Sequence, residues 1–314
     1  MKVFLQARGS YETLLTLSKW SEQNDIERIG LPDHYIVGKQ RHDKNEPTPA
    51  LDLLTASAGL VRDTEKMVYS ILVSPITFRH PSVLVKMAST INDMAKGRFR
   101  LGVGTGWLEI EHDLYGIPFP DLKTRFEMLE ESLLYIREAL SGNNNGFQGE
   151  YYQLKEFPVE PAALQDIPII IGGGGKVKTP TLAGKYSEEF NIYAGPKEIL
   201  AKSISLFREV AADNGRDLKK LEITTACPPV VGLTKEGVGS ALTAAAKALA
   251  QTEDEIASTW REKNYLFGTP DEVASTLSMW QEVGIEAVYL QLLSLKEAQR
   301  NETIDVINRA VDLI

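Results

Sequence analysis

Cysteine is almost missing from this chain of 314 residues, Cys227 being the single example. One thiol makes no internal disulfide and cannot supply a Cys-rich zinc site. Cys227 is therefore expected to be a small buried apolar residue, in a protein of the reducing cytoplasm. Histidine is scarce too: His34, His42, His80 and His112 are the only four. They form no HxH or HExxH pattern, and Glu109 to His112 gives one ExxH where a di-iron carboxylate site needs two, so no metal centre is expected. Positive charge is in deficit, with 34 Lys+Arg against 43 Asp+Glu and a net charge of −9. An acidic chain without a basic block is not expected to bind nucleic acid or an anionic membrane. No apolar run approaches the roughly 20 residues that span a bilayer. The apolar stretch at the N-terminus is too short for a signal peptide, and no GxSxG hydrolase elbow occurs.

What the chain does have is ordinary globular composition, 43% hydrophobic and 25% charged, arranged as short apolar runs alternating with amphipathic stretches. Strands are expected over residues 2–7, 27–31, 66–73, 99–103, 167–171, 190–193, 221–225 and 287–292. Helices are expected over 11–23, 49–60 and 82–94, and around Phe126, Leu129, Leu133, Ile136 and Leu140, which recur every three or four residues. A further helix is entered by Pro196, and a last one runs to Ile314. Thr269, Pro270, Asp271 and Glu272 read as a capping box with proline at the first helical position, and Gly284 as the stop of that helix. Val273, Leu277 and Trp280 form its apolar face. Eight strand–helix units imply a parallel sheet, because β–α–β crossovers are right-handed. With no linker in view, the expectation is an α/β fold, a (β/α)8 TIM barrel forming one domain over 1–314. Two insertions interrupt it, an Asn/Gly-rich stretch with a small hairpin over 142–157, after strand four, and an Ala/Glu/Lys-rich helical one over 234–263, late in the barrel.

Barrel active sites lie at the C-terminal ends of the strands, so the residues that follow each strand carry the chemistry. Strand two ends in Leu31-Pro32-Asp33-His34. An Asp–His pair there can orient an imidazole for acid–base work, or be a loop pair that caps the next helix. Strand three leads to Phe78-Arg79-His80-Pro81, whose Arg79 and His80 equally suit structural loop contacts. Strand four leads to Gly102, Gly104 and Gly106, then Trp107. Alternate glycines let a planar ligand or another backbone come close, and the spacing is not the dinucleotide GxGxxG. Strand five ends in Gly172, Gly173, Gly174 and Gly175, then Lys176. Four glycines before a helix make a nest of backbone N–H groups suited to phosphate, or a flexible turn.

Taken together, Phe78-Arg79-His80-Pro81, the run Arg98 to Trp107 with Glu111 beyond it, the helix carrying Arg125 and Glu130, Ile169 to Gly175 and Gly268 to Ala274 resemble the luciferase-like monooxygenase superfamily. The resemblance covers nearly the whole chain, and Asp33-His34 looks like its coenzyme F420-dependent branch. It implies an oxidoreductase moving a hydride between deazaflavin carbon C5 and a small organic substrate. His34, oriented by Asp33, would exchange a proton with substrate. Asp33, His34, Ser70, Ile71, Val73 and Gly104 would line the cofactor, with a non-proline cis peptide at Ser70–Ile71 backing the ring. Gly172, Gly173, Gly174, Gly175 and Lys176 would hold its phosphate, while Trp107 and Glu111 would wall the substrate pocket. The sugar-phosphate dehydrogenases of the branch carry a Glu where this chain has Trp107, which leaves open whether Glu109 or Glu111 supplies an acid. A homodimer is a family expectation. Arg79, Lys176, Lys39, Arg41 and Lys44 would make the mouth locally basic. The alternatives are an FMN-dependent monooxygenase fed by a reductase, and a non-catalytic flavin-binding relative.

Overall fold

The computed structural model describes residues 1–37, 48–141, 145–156, 159–161, 166–292 and 297–314. His42 and the basic residues Lys39, Arg41 and Lys44 lie outside them, as do 142–144 and 157 of the expected insertion. Eight parallel strands among the described residues have the order of a (β/α)8 barrel: β1 (Lys2–Gln6), β2 (Arg28–Leu31), β3 (Val68–Ile71), β4 (Phe99–Gly104), β5 (Ile169–Gly173), β6 (Glu189–Tyr193), β7 (Glu222–Cys227) and β8 (Ala287–Gln291). The helices are α1 (Tyr11–Gln23), α2 (Leu53–Asp63), α3 (Pro81–Ala95), α4 (Glu109–Tyr115), α5 (Leu122–Leu140), α6 (Lys178–Tyr186), α7 (Lys197–Asp213), α8 (Lys235–Leu249), α9 (Glu253–Glu262), α10 (Pro270–Val283) and α11 (Glu297–Asp312). The chain divides into two compact units.

The first unit spans Ala7–Gly172 with Lys185–Glu189. Its sheet order is β2-β3-β4-β5, in parallel register with Leu31 beside Ile71 and Val103 beside Ile171. The strands are buried on both faces, and Ile169 to Ile171 of β5 accordingly read as a continuous apolar run rather than an alternating one. Ile29, Leu31, Tyr69, Ile71, Leu101, Val103 and Ile170 are all essentially inaccessible. The β3–β4 approach fixes a glycine: a Cβ on Gly102 would stand 2.0 Å from the Ile71 carbonyl oxygen. At the N-terminal ends of β2, β4 and β6, Arg28 and Arg100 both donate to the buried Glu189 carboxylate, at 3.1 and 3.0 Å. Helix α2 begins later than its apolar pattern suggests. Asp52 is its N-cap, accepting from the Thr55 N–H at 2.7 Å, while Thr48–Pro49 pairs antiparallel with Ile36–Val37. A proline and a capping aspartate set that boundary, and hydrophobic periodicity does not see either.

The second unit comprises Met1–Gln6, Gly173–Gly184 and Phe190–Ile314. Its sheet order is β6-β7-β8-β1, with Phe4 beside Tyr289 and Thr225 beside Val288. The capping box of α10 forms as its sequence implies. The Glu272 carboxylate accepts from the Thr269 N–H at 2.8 Å, and Gly284 ends the helix at φ +98°. Val273, Leu277 and Trp280 are wholly buried. The late insertion is two helices, α8 and α9, which enclose a small core of Val230, Ala245, Ile256 and Trp260. The earlier insertion, in the first unit, carries the expected hairpin, with Phe147–Gln148 antiparallel to Gln153–Leu154. Cys227 is fully buried, and burial pushes its thiol up to about 12.

Candidate active site

The C-terminal ends of β2, β3 and β4 bring one cluster together in the first unit. Pro32 ends β2, and Asp33 and His34 follow it. Asp33 is completely buried and does not face the imidazole. It accepts from Ser74 Oγ at 2.7 Å and from Arg79 Nη1 at 2.6 Å. Arg79 also donates to Asp52 and stands 5.7 Å from the centre of the Tyr35 ring. One guanidinium thus bridges two carboxylates, the geometry its planar fork favours. Burial raises the Asp52 carboxyl, but the Thr55 N–H and Arg79 outweigh it and hold the group below its ordinary value. The expectation that Asp33 orients His34 is therefore corrected: Arg79 and Ser74 take that carboxylate. Arg79 correspondingly adds no free positive charge to the mouth. His80 is structural, the N-cap of α3, accepting from the Ser82 N–H at 3.2 Å.

The carboxylate that meets His34 comes from 77 residues further on. Glu111, in the first turn of α4, lies 3.0 and 3.2 Å from His34 Nδ1 through its two oxygens. It also accepts from the Tyr35 N–H at 3.1 Å. Its side chain is wholly buried while that of His34 is 17% exposed, so Glu111 does not wall a pocket as the sequence suggested. Trp107, just beyond β4, stands edge-on to the His34 ring, centroids 5.7 Å apart at 79°. It is 49% exposed, a large apolar surface left in solvent beside the imidazole. Nε2 of His34 has no hydrogen-bond partner among the described residues.

Neighbouring groups hold this arrangement in place. His112 accepts the Thr77 hydroxyl at Nε2, 2.6 Å away, and donates from Nδ1 to the Leu108 carbonyl at 2.9 Å. Burial lowers its tendency to protonate, in keeping with that neutral form. Arg125 of α5 donates to the carbonyls of Thr105 and Pro120 at 3.2 and 2.9 Å and lies over Phe119, pinning the turn that carries Trp107. Tyr35 stacks on Phe78, centroids 4.3 Å apart, and burial with the nearby Asp33 and Asp52 pushes its phenol up to about 12.

The non-proline cis peptide expected at Ser70–Ile71 lies at Leu72–Val73. Ser70 and Ile71 are fully buried within β3, whereas Val73 is partly accessible. The regular strand ends at Ile71, so the departure begins one residue later. A Cβ on Gly104 would come within 3.0 Å of Val73 Cγ2. In the second unit, Gly173 adopts φ +150°, and a Cβ on Gly174 would strike the Tyr193 ring at 2.9 Å. Lys176 is exposed. Among the described residues, no group of three His, Cys, Asp or Glu is placed to hold a metal ion.

A family model described as luciferase-like monooxygenase matches residues 3–287. Among curated proteins, the F420-dependent glucose-6-phosphate dehydrogenase of Microbacterium testaceum is 32% identical over 183 residues, covering 58% of this chain and 52% of that protein. The enzyme of the same description from Nakamurella multipartita is 30% identical over 212 residues, covering 67% and 60%. The alignments thus span between half and three-fifths of these relatives. Among solved structures, an F420-dependent secondary alcohol dehydrogenase in complex with an F420–acetone adduct superposes with a TM-score of 0.81 at 20% identity, over 98% of each chain. EDTA monooxygenase from Chelativorans sp. BNC1 gives 0.82 at 14% identity, over 100% and 94%. At such identities the structures speak for the fold, and the family follows from the sequence match: this chain belongs to the luciferase-like monooxygenases.

Proposed function

We propose that this protein is a coenzyme F420-dependent oxidoreductase acting on a small alcohol or carbonyl compound. The observation that carries the reading is His34. It stands at the C-terminal end of β2 in a barrel of this family, with Nδ1 engaged by Glu111 and Nε2 without a partner among the described residues, beside the exposed Trp107. The residues present suit a deazaflavin. Val73 offers an accessible apolar surface next to the cis bond and Gly104. The turn at Gly172, Gly173, Gly174 and Gly175 has no side chains and is followed by the exposed Lys176, a composition suited to a phosphate. When bound, the deazaflavin supplies a two-electron hydride acceptor or donor at its ring carbon C5. Nε2 of His34 takes the proton from a substrate hydroxyl in the oxidising direction and returns it to a carbonyl oxygen in the reducing one. Asp33, held by Arg79 and Ser74, fixes the backbone that presents His34. Trp107 covers the substrate with apolar surface and, standing where the sugar-phosphate dehydrogenases carry an acid, argues for a substrate other than a sugar phosphate.

Titrating the purified protein with coenzyme F420 and with FMN, read by fluorescence, tests the reading. Binding of F420 supports it. Micromolar FMN binding without F420 binding overturns it in favour of the flavin monooxygenase. His34→Ala is expected to lower turnover by a factor of about 10²–10⁴ with little loss of F420 affinity. Full activity in that variant removes His34 from the mechanism.

A further inference from the structure

Glu111 presents a problem that the reaction alone does not solve. It is a carboxylate with no accessible surface, and a buried charge persists only where hydrogen bonds or opposite charge compensate it. Among the described residues no Lys or Arg forms an ion pair with it. Its partners are the His34 ring and the Tyr35 backbone N–H, which occupy both oxygens. A carboxylate can only accept. His34 Nδ1 must therefore carry its proton, and in the neutral ring the lone pair is left on Nε2.

We infer that Glu111 is the positioning residue of His34: it fixes the imidazole in the Nδ1–H tautomer, so that Nε2 alone exchanges a proton with substrate. The other groups around the ring leave this role to it. Asp33, adjacent in sequence, is taken by Arg79 and Ser74. Asp52 is taken by the same Arg79. His112, next to Glu111 on α4, is committed to Thr77 and to the Leu108 carbonyl. Tyr35 presents its N–H to Glu111 and its ring to Phe78. The edge of Trp107 limits rotation of the His34 ring from another side. When Nε2 gains a proton from a substrate hydroxyl, Nδ1–H stays on the ring, held by Glu111. The imidazolium so formed faces a preorganised anion, and the substrate oxygen has lost the proton that the ring has gained. This arrangement follows the logic of the hydrolase triad on an unrelated fold, with the carboxylate holding the base in its working tautomer.

The inference rests on the proposed role of His34 only for its catalytic meaning; the tautomer itself is a property of the protein without cofactor. With four histidines in the chain, ¹⁵N-histidine labelling and ¹H–¹⁵N correlation spectra of the cofactor-free protein resolve each ring, and His34→Ala assigns the signal. The expected result is a neutral His34 in the Nδ1–H form, with a hydrogen-bonded Nδ1 proton protected from exchange. In Glu111→Gln the ring is expected to shift toward the Nε2–H form that imidazole prefers in water, whereas Glu109→Gln leaves it unchanged. An Nε2–H ring in the wild-type protein, or a tautomer that Glu111→Gln does not move, overturns the inference. Should Glu111→Gln not fold, the wild-type spectrum alone decides. With active enzyme, Glu111→Gln lowers kcat by a factor of about 10² or more with KM little changed. Failure of the cofactor titration, by contrast, would leave the spectra untouched and overturn only the reading of the reaction.

Discussion

Asp33 and Glu111 show how two carboxylates near one imidazole divide their work. Asp33 is the sequence neighbour of His34, yet it is spent on Arg79; Glu111 is remote in sequence and holds the ring. The difference is charge: a guanidinium donates two charge-assisted bonds, and a buried carboxylate gains more from it than from a neutral ring. Arg79 is accordingly expected to matter for stability. Arg79→Ala leaves Asp33 buried without a cation, at a cost of about 3–5 kcal/mol, measured as a lower urea midpoint. The deficit should also depend on pH. Asp52 is held below its ordinary value by the Thr55 N–H and Arg79. Its contribution is therefore present above the unfolded value of about 4 and fades as the pH falls below it. Wild type and variant should converge in acid; a constant gap would show that Asp52 is not coupled to Arg79.

At the scale of elements, the two ends of the strands carry different burdens. The C-terminal ends of β2, β3 and β4 present His34, Val73 and Trp107, whereas the N-terminal ends of β2, β4 and β6 are tied by Arg28, Arg100 and Glu189. Barrel folds separate chemistry from stability in this way. Removing Glu189 takes from Arg28 and Arg100, both largely buried, the carboxylate they share, so Glu189→Ala is expected to destabilise the fold by about 3–5 kcal/mol. The His34 ring signals should stay as in the wild type wherever the variant is folded. A changed His34 spectrum in folded Glu189→Ala would mean that the Arg28–Glu189–Arg100 cluster also shapes the site. Much of the element pattern was legible beforehand. The Ile169 to Ile171 stretch of β5 is an unbroken apolar run, and the Thr269 to Glu272 cap announces α10 in four residues. The start of α2 was not, because Pro49 and Asp52 act through backbone conformation and capping rather than through hydrophobic spacing.

For the molecule as a whole, the half-buried phenols of Tyr35 and Tyr186 set a limit on alkaline stability. Burial, joined for Tyr35 by Asp33 and Asp52 and for Tyr186 by Glu130, pushes both phenols up to about 12. A raised value means that their stabilisation is complete below the unfolded value of about 10 and is lost as pH climbs toward 12. Phenolate absorbance and circular dichroism should therefore change together in that interval; independent ionisation of these tyrosines in a folded protein would contradict it. The net charge of −9 is likewise a property of the whole chain that says little about the cluster around His34, where Arg79 is neutralised by Asp33 and Asp52. The sequence by itself determined the alternation of strands and helices, the α10 cap, the isolated buried thiol and the strand-end residues, because each of these is written in local spacing and side-chain type. Only the tertiary structure decided which carboxylate meets His34, where the cis bond lies and why Gly102 and Gly174 carry no side chain. Those depend on groups far apart in the chain that parallel strand packing sets side by side, and no local pattern encodes such a meeting.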